Sequence, residues 1–158
     1  MLENFGDEFL VVCPNCHGKS KVISLGDHAP YRTDMTKRFI CLECGLMKEF
    51  TPKKNCFNQV VISYSNKWTE GFINIGGVFD WYFGYPLYLQ ISCCSHTLWA
   101  YNLQHLEYLK NYVEAELREN HPYYLSIESR LPLWIKAAKN REIVLKAIEK
   151  LEQKAKGS

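Results

Sequence analysis

The chain has 158 residues, a net charge of +2 and an apolar fraction of 47%, so it is long enough and apolar enough to bury a core. The small net charge argues against a dedicated nucleic-acid binder, which usually carries a larger basic excess. No stretch reaches the roughly 18 apolar residues of a membrane span, and residues 1–12 lack the regions of an export signal. We therefore expect a soluble, cytoplasmic protein without membrane contact.

Two C-x-x-C pairs lie in the first third of the chain, and short β-type runs flank each of them. The first pair is Cys13 and Cys16, and the second is Cys41 and Cys44. A β run on both sides of a pair predicts a hairpin with the cysteines at its turn. The runs are residues 9–12, 21–24, 38–40 and 46–50.

These four cysteines are typical of a structural metal site. A C-x-x-C turn directs both sulfurs to one side, and two such turns supply the four soft thiolates that tetrahedral zinc prefers. Gly18 and Gly45 follow the pairs, and glycine there can adopt the positive φ that points backbone N–H groups at the sulfurs. Lys19 and Lys48 are expected to offset the remaining negative charge.

The spacing leaves one rival metal and disfavours a redox role. A rubredoxin-like iron site uses the same ligands, so iron is the alternative. A redox dithiol needs one pair at the start of a helix in a βαβ unit, and the sequence has no such pattern. We therefore predict one structural Zn²⁺ ion, bound by Cys13, Cys16, Cys41 and Cys44.

Residues 9–50 resemble a zinc ribbon, through the motifs C-P-N-C-H-G and C-L-E-C-G. This two-knuckle module occurs in transcription factors, ribosomal proteins and many small bacterial proteins, and it covers about a quarter of this chain. The whole chain is also similar to uncharacterised bacterial proteins in which an aromatic segment follows such a ribbon. Zinc ribbons bind nucleic acid in some families and proteins in others, so the resemblance implies no single function.

The middle of the chain predicts further strands and holds most of the aromatic residues. Strands are expected at residues 59–64 and 71–75, and one or two more within 78–92, bent at 84–86. Asp80 is expected to be a buried, hydrogen-bonded carboxylate.

Residues 79–88 are dense in aromatic side chains. A surface that stacks nucleotides needs interleaved basic residues, and none lies between Lys67 and Lys110. Core packing is therefore the first interpretation of this segment, and a protein-binding patch is the second.

A second cysteine cluster has the sequence Cys93-Cys94-Ser95-His96. It permits a cysteine nucleophile, a second metal site or a redox-sensitive pair, but a nucleophile also needs a base and an orienting group. Free cysteine is among the most buried residue types. We therefore predict a buried turn after a strand, with one of the two cysteines in the core.

The last third is helical in pattern. Asn102 is expected to cap a helix that residues 120–122 end, and Asn140 to cap the last helix, which frays over 153–158. A short helical turn is expected before Pro132, and another helical stretch from Ile135. The predicted apolar faces are Leu103, Leu106, Leu109, Val113 and Leu117 in the first helix, and Val144, Ala147, Ile148 and Leu151 in the last.

Basic residues recur along the last third, but acidic residues interrupt them. Candidate phosphate contacts are Lys136, Lys139, Arg141 and Lys146, with Arg130 before them. Glu142, however, pairs with Lys146 at helical spacing. A solvated helix face explains this pattern without a ligand.

Together these patterns predict an α+β protein: a zinc ribbon in residues 1–56, then an aromatic-rich antiparallel sheet and C-terminal helices in residues 57–158, packed as one unit. We expect a non-enzymatic interaction protein (an adaptor, regulator or inhibitor) whose partner is another protein. A nucleic-acid-binding module with weak, non-specific affinity is the alternative. An enzyme that uses Cys93, Cys94 or His96 is the third possibility.

Overall fold

The computed structural model describes residues 5–25, 36–64, 68–115 and 131–157, and the fold is α+β, as predicted. The first helix ends at Glu114, because its C-cap residue Ala115 has a ψ of 120°, outside the helical range, so the predicted helix end at 120–122 is wrong. The short helical turn predicted before Pro132 falls on residues outside the described ones. The strands are β1 Glu8–Val12, β2 Lys19–Ser24, β3 Lys37–Ile40, β4 Met47–Phe50, β5 Ile62–Ser63, β6 Ile73–Asn74, β7 Leu89–Cys93 and β8 His96–Ala100. The helices are α1 Leu103–Glu114, α2 Leu133–Lys136 and α3 Arg141–Lys156, with a 3₁₀ turn at Ala138–Asn140.

Strands β1 to β4 form an antiparallel meander in chain order, which confirms the four predicted β runs. The free edge of β1 is covered by the later chain, because Tyr88 N donates to Leu10 O and Leu10 N donates to Tyr101 O. Side chains alternate along β1, so Phe9 and Leu10 point to opposite faces of the sheet. Both are buried, and β1 therefore contributes to two cores.

The aromatic core lies on the Phe9 side of this sheet. It joins the inner side chains of the four strands to residues 73–101, so residues on both sides of position 56 contribute to it. Phe9 packs edge-to-face against Trp81 and Tyr101 at centroid distances of 5.1 Å, and Trp81 Nε1 donates to the Tyr101 hydroxyl at 3.1 Å. Such pairs stabilise a core by about 0.5–1.5 kcal/mol each beyond the area they bury.

The helical core lies on the Leu10 side, between α1, α3 and the β7–β8 hairpin. The predicted apolar face of α3 is buried as expected, but Leu103 of α1 is 48% exposed and does not belong to the core. Leu117 lies outside the described residues. Helix α3 continues to Lys156, so the fraying predicted for 153–156 is wrong, because Ala155 is buried and its carbonyl accepts a hydrogen bond from Lys19 Nζ at 2.8 Å.

The cap of α1 also fixes the start of the chain. Asn102 Oδ1 accepts from His105 N, as predicted for an N-cap, while its Nδ2 donates to the carbonyl oxygens of Phe5 and Glu8. His105 is buried and stacks on Phe5 at 4.7 Å, and its Nδ1 accepts from Tyr101 N. Burial lowers the pKa of His105 to about 4, so the ring is neutral at physiological pH.

The middle strands are shorter than predicted, and one strand was not predicted. Residues 59–64 and 71–75 form only the two-residue strands β5 and β6, which pair in parallel. The predicted run 78–92 contributes β7, which forms an antiparallel hairpin with β8. The alternation in β8 is weak, because His96 and Thr97 are both exposed, and the sequence pattern therefore gives little sign of a strand.

Candidate metal centre

Each C-x-x-C pair forms a tight turn with the same backbone hydrogen bonds. In the first turn, His17 N donates to Cys13 O at 3.0 Å, and Cys13 N donates to Gly18 O at 2.9 Å. In the second, Gly45 N donates to Cys41 O at 3.0 Å, and Cys41 N donates to the Leu46 carbonyl at 2.9 Å. The two turns are therefore structural repeats, in which His17 corresponds to Gly45.

The positive φ in the first turn belongs to a different residue from the one predicted. His17 has φ 61° and Gly45 has φ 74°, whereas Gly18 has no positive φ. The sequence argument assigned this conformation to Gly18 because glycine adopts it without a steric penalty. The turn instead requires it at the residue directly after the second cysteine, whatever that residue is.

We expect His17→Gly to stabilise the metal-loaded protein by up to about 1 kcal/mol, because an L side chain at positive φ costs about 1–2 kcal/mol and glycine offsets part of this with its unfolded-state entropy. Gly45→Ala is the matched opposite change. No atom lies within 4 Å of the added Cβ, so we expect only the backbone strain, a loss of about 1 kcal/mol. Urea unfolding of both variants at saturating zinc measures these effects, and equal signs for the two changes would contradict the repeat.

The two turns bring the four predicted cysteines together. Their sulfur atoms all lie within 4.8 Å of one another, and they are the one set of three or more metal-ligating groups that the described residues contain. The Cys13 and Cys44 sulfurs are 3.7 Å apart, and those of Cys16 and Cys41 are 3.5 Å apart. Two sulfurs on one tetrahedral zinc ion, with bonds of about 2.3 Å, are about 3.8 Å apart. The observed spacing fits such an ion.

Backbone N–H groups point at the sulfurs and favour their thiolate forms. Burial raises the pKa of Cys13, but the N–H groups of Cys16 and Asn15 and the thiols of Cys44 and Cys16 lower it, so the net shift is downward. The N–H of Gly18 lowers the pKa of Cys16, but desolvation and the neighbouring thiols raise it to about 12. Without a cation, the negative charges of four close thiolates would repel one another, so some of the thiols keep their protons. A bound divalent cation offsets this repulsion.

Ser20 is a member of the site that sequence analysis missed. Its hydroxyl is buried and has no hydrogen bond of ordinary geometry, but it is the largest influence that lowers the pKa of Cys41, to about 6. It lies on the inner face of β2, paired with Val11. A serine among apolar inner residues was the only signal in the sequence. A hydroxyl beside a sulfur ligand is suited to stabilise the thiolate.

Both lysines expected beside the cluster also have hydrogen-bond partners outside it. Lys19 donates to the end of α3, and Lys48 donates to the Tyr85 hydroxyl at 3.0 Å. A carboxylate oxygen of Glu43 lies 3.9 Å from Cys16 Sγ. The Tyr85 hydroxyl and, to a smaller extent, the charge of Cys13 raise the pKa of Lys48, so Lys48 does act on the cluster, as expected. The backbone N–H groups and Ser20 also favour the thiolates.

Asp80 is buried and hydrogen-bonded, as predicted. Its carboxylate accepts from the backbone N–H groups of Tyr82 and Phe83 through Oδ1 and of Tyr85 through Oδ2, at 2.6–2.9 Å. Burial raises its pKa to about 6, although the three N–H donors lower it. Asp80 thus shapes the turn that brings Trp81 and Tyr82 into the aromatic core, and it lies outside the cysteine cluster.

The second cysteine cluster forms a hairpin turn, as predicted, with Cys93 buried and Cys94 half-buried. Burial raises the pKa of Cys93 to about 11. His96 is exposed and stacks on Trp134 at a centroid distance of 5.0 Å. The turn therefore brings two thiols together, while the imidazole packs on an indole ring.

Comparison with protein-family models, with curated proteins and with solved structures gave no match to this chain. None of the helices within residues 5–25, 36–64, 68–115 and 131–157 has the length and apolarity needed to cross a membrane.

Proposed function

We propose that this chain is a non-enzymatic protein-interaction protein, stabilised by one structural zinc ion that Cys13, Cys16, Cys41 and Cys44 hold in a zinc ribbon. The sulfur spacing and the repeated turns support the metal assignment. No position is left for a substrate or catalytic water in a site closed by four thiolates, so the ion has a structural role.

Exposed aromatic side chains carry the protein-binding part of this proposal. The segment 79–88 is mostly core, but Trp68 is 41% exposed and Phe79 is 38% exposed. The Trp68 ring lies so close to Gly84 that a Cβ atom added to this glycine would be 2.7 Å from the ring. Phe79 forms an antiparallel β-bridge with Pro86, which is also exposed. We define Trp68, Phe79 and Pro86 as the aromatic surface. Exposed tryptophan and other aromatics are typical anchors of protein interfaces.

The charges near the ribbon support a protein partner over nucleic acid. Lys21 pairs with Glu8 at 3.1 Å, and Arg38 pairs with Glu49 at 2.6 Å. On the helices, Lys110 pairs with Glu152 at 3.2 Å. A phosphate-binding face needs basic side chains that release counterions from nucleic acid, and carboxylates already neutralise these three basic side chains.

The second cysteine cluster gives little support to an enzyme. A nucleophilic cysteine needs a thiolate at neutral pH, and burial shifts the pKa of Cys93 upward, to about 11. His96, the expected base, is stacked on Trp134 at the surface.

A capture experiment with matched variants tests the proposed function. Zinc-loaded protein is immobilised and exposed to nuclease-treated extract, and retained proteins are quantified by mass spectrometry. We expect Trp68→Ser combined with Phe79→Ser to lower the retention of a specific partner at least about tenfold, the effect of one interface hot spot. Leu133→Ser combined with Ile143→Ser is the control, since these side chains are 82% and 53% exposed elsewhere.

Two results would contradict the proposal. One is a specific partner whose retention is unchanged by the aromatic-surface variant or is lost equally in the control. The other is sub-micromolar binding of mixed-sequence oligonucleotides that persists near 0.15 M salt, because weak phosphate contacts disappear as salt rises. The second result would make the nucleic-acid module the function of the chain.

A further inference from the structure

The β7–β8 hairpin places two adjacent cysteines side by side. Cys93 ends β7, and Cys94 and Ser95 form the two-residue turn, with φ values of 52° and 62°. Positive φ at both central residues is characteristic of a type I′ turn. Adjacent side chains on a regular strand point to opposite faces. Here the turn begins at Cys94, and the Cys93 and Cys94 sulfur atoms are only 3.7 Å apart.

A disulfide between these two residues is sterically unfavourable. Adjacent Cα atoms joined by a trans peptide are about 3.8 Å apart. Disulfides normally span Cα separations of about 4.4–6.8 Å, and shorter ones are strained and easily reduced. The pair therefore favours the dithiol state.

We propose that Cys93 and Cys94 form a second thiol site, independent of the proposed function, which binds a trivalent arsenical as a two-sulfur chelate. Their separation of 3.7 Å is close to the value of about 3.8 Å for two sulfurs on one centre with tetrahedral angles and bonds of about 2.3 Å. A linear two-coordinate ion with the same bond length would need about 4.6 Å. Trivalent arsenic is pyramidal and accepts two protein sulfurs and one outer ligand.

The surroundings of the turn leave room for that outer ligand. Ser95 and His96 are exposed, so the turn lies at the surface, while Cys93 is anchored in the helical core. A zinc ion, which takes four ligands, finds them together only at the ribbon cysteines among the described residues. The two sites therefore differ in ligand number, and the hairpin pair suits a centre that needs only two protein sulfurs.

The reaction requires no oxidant. An arylarsine oxide reacts with two thiols to give one dithioarsine and one water. Two arsenic–sulfur bonds form, the arsenic–oxygen bond breaks, both thiol protons leave on that oxygen, and arsenic stays trivalent. Cys94 is more exposed and accepts the S–H of Cys93, so Cys94 reacts first and Cys93 closes the ring. The raised pKa of Cys93 agrees with this order.

Phenylarsine oxide added to the zinc-loaded full chain provides the test, with native mass spectrometry as the readout. We expect one phenylarsine per chain, bound with loss of one water, while zinc stays bound. The adduct should survive an excess of a monothiol and be removed by a dithiol, since a chelate exceeds single-site affinity by about 10²–10⁴. Cys93→Ala and Cys94→Ser should each lower monothiol-resistant binding at least about 100-fold, whereas the control Cys56→Ser, at an exposed cysteine, should not.

Several results would overturn the proposal. These are an adduct that resists monothiol in either single variant, an adduct lost in Cys56→Ser, and an arsenical that binds only as zinc is released. The same holds if no adduct forms on protein whose Cys93 and Cys94 are shown to be free by alkylation after unfolding. Cys94→Ser decides the matter if the core change Cys93→Ala prevents folding, because Cys94 lies at the half-buried turn.

Discussion

Replacing Cys13 and Cys41 with serine is expected to abolish zinc binding and to unfold strands β1 to β4. Structural zinc contributes on the order of 10 kcal/mol to the folding of small metal sites, and both sulfurs are buried at the centre of this one. Because β1 contributes Phe9 to the aromatic core and Leu10 to the helical core, the loss of ordered structure should extend to both cores. Native mass spectrometry measures the metal, and hydrogen exchange measures the order of each strand.

The control for this experiment is Cys56→Ser, which changes an exposed cysteine outside the cluster and should keep one zinc per chain. A metal-free wild-type protein in which β1 to β4 remain protected from exchange would refute the prediction. Visible absorption of the purified protein separates the metals, since zinc has a filled d shell and is colourless, whereas a rubredoxin-like iron centre is coloured.

Asp80 and His105 are expected to make the free energy of unfolding depend on pH in opposite directions. The pKa of Asp80 is raised from 3.8 to about 6, so its contribution is present below pH 3.8 and is lost as pH rises through 6. The pKa of His105 is lowered from 6.5 to about 4, so its contribution is present above pH 6.5 and is lost as pH falls through 4. Each pKa shift changes the free energy of unfolding by about 3 kcal/mol across its pH range. Because the two changes have opposite signs, they nearly cancel in the wild-type protein.

Single variants should reveal the two opposing effects. Between pH 4 and 6.5, Asp80→Asn should gain stability relative to wild type as pH rises, because the destabilising ionisation of the buried carboxyl is absent. His105→Asn should lose stability relative to wild type over the same interval, because the gain from the neutral imidazole is absent. Urea unfolding at saturating zinc gives the free energies. Proton competition for the metal affects all three proteins and is removed by taking differences from wild type. Parallel curves for the three proteins would refute this prediction.

Local spacing predicted those parts of the fold that depend on neighbouring residues. The C-x-x-C pairs and their β runs gave the meander and brought Cys13 and Cys41 into one cluster, because a tight turn fixes both sulfurs of a pair. Helical periodicity gave α1 and the buried face of α3. The glycine after the first C-x-x-C pair suggested a positive φ at Gly18, but the structure has it at His17. Glycine is preferred in this conformation, yet the geometry of the turn decides which position adopts it.

Long-range contacts account for what the sequence did not predict. The interaction of Lys19 with the end of α3 joins residues 136 positions apart, and no local pattern encodes it. Composition also fails to say which aromatic residue is buried. Trp81 and Trp68 both belong to the aromatic-rich middle of the chain, but the Asp80 turn directs Trp81 inward, whereas Trp68 lies on Gly84 at the surface. The proximity of Ser20 to Cys41 depends likewise on the pairing of β2 with β3.

The burial of β1 on both faces affects the order in which parts of the fold can form during translation. The cysteine turns and β1 to β4 consist of neighbouring segments, so they can pair and take up metal soon after Phe50 leaves the ribosome. Leu10, however, is covered by residues 89–155, and Lys19 reaches its acceptor only when Ala155 has been made. The nascent β1–β4 sheet therefore presents an uncovered apolar face for most of synthesis, and a chaperone that binds apolar segments has that face available until the last helix docks.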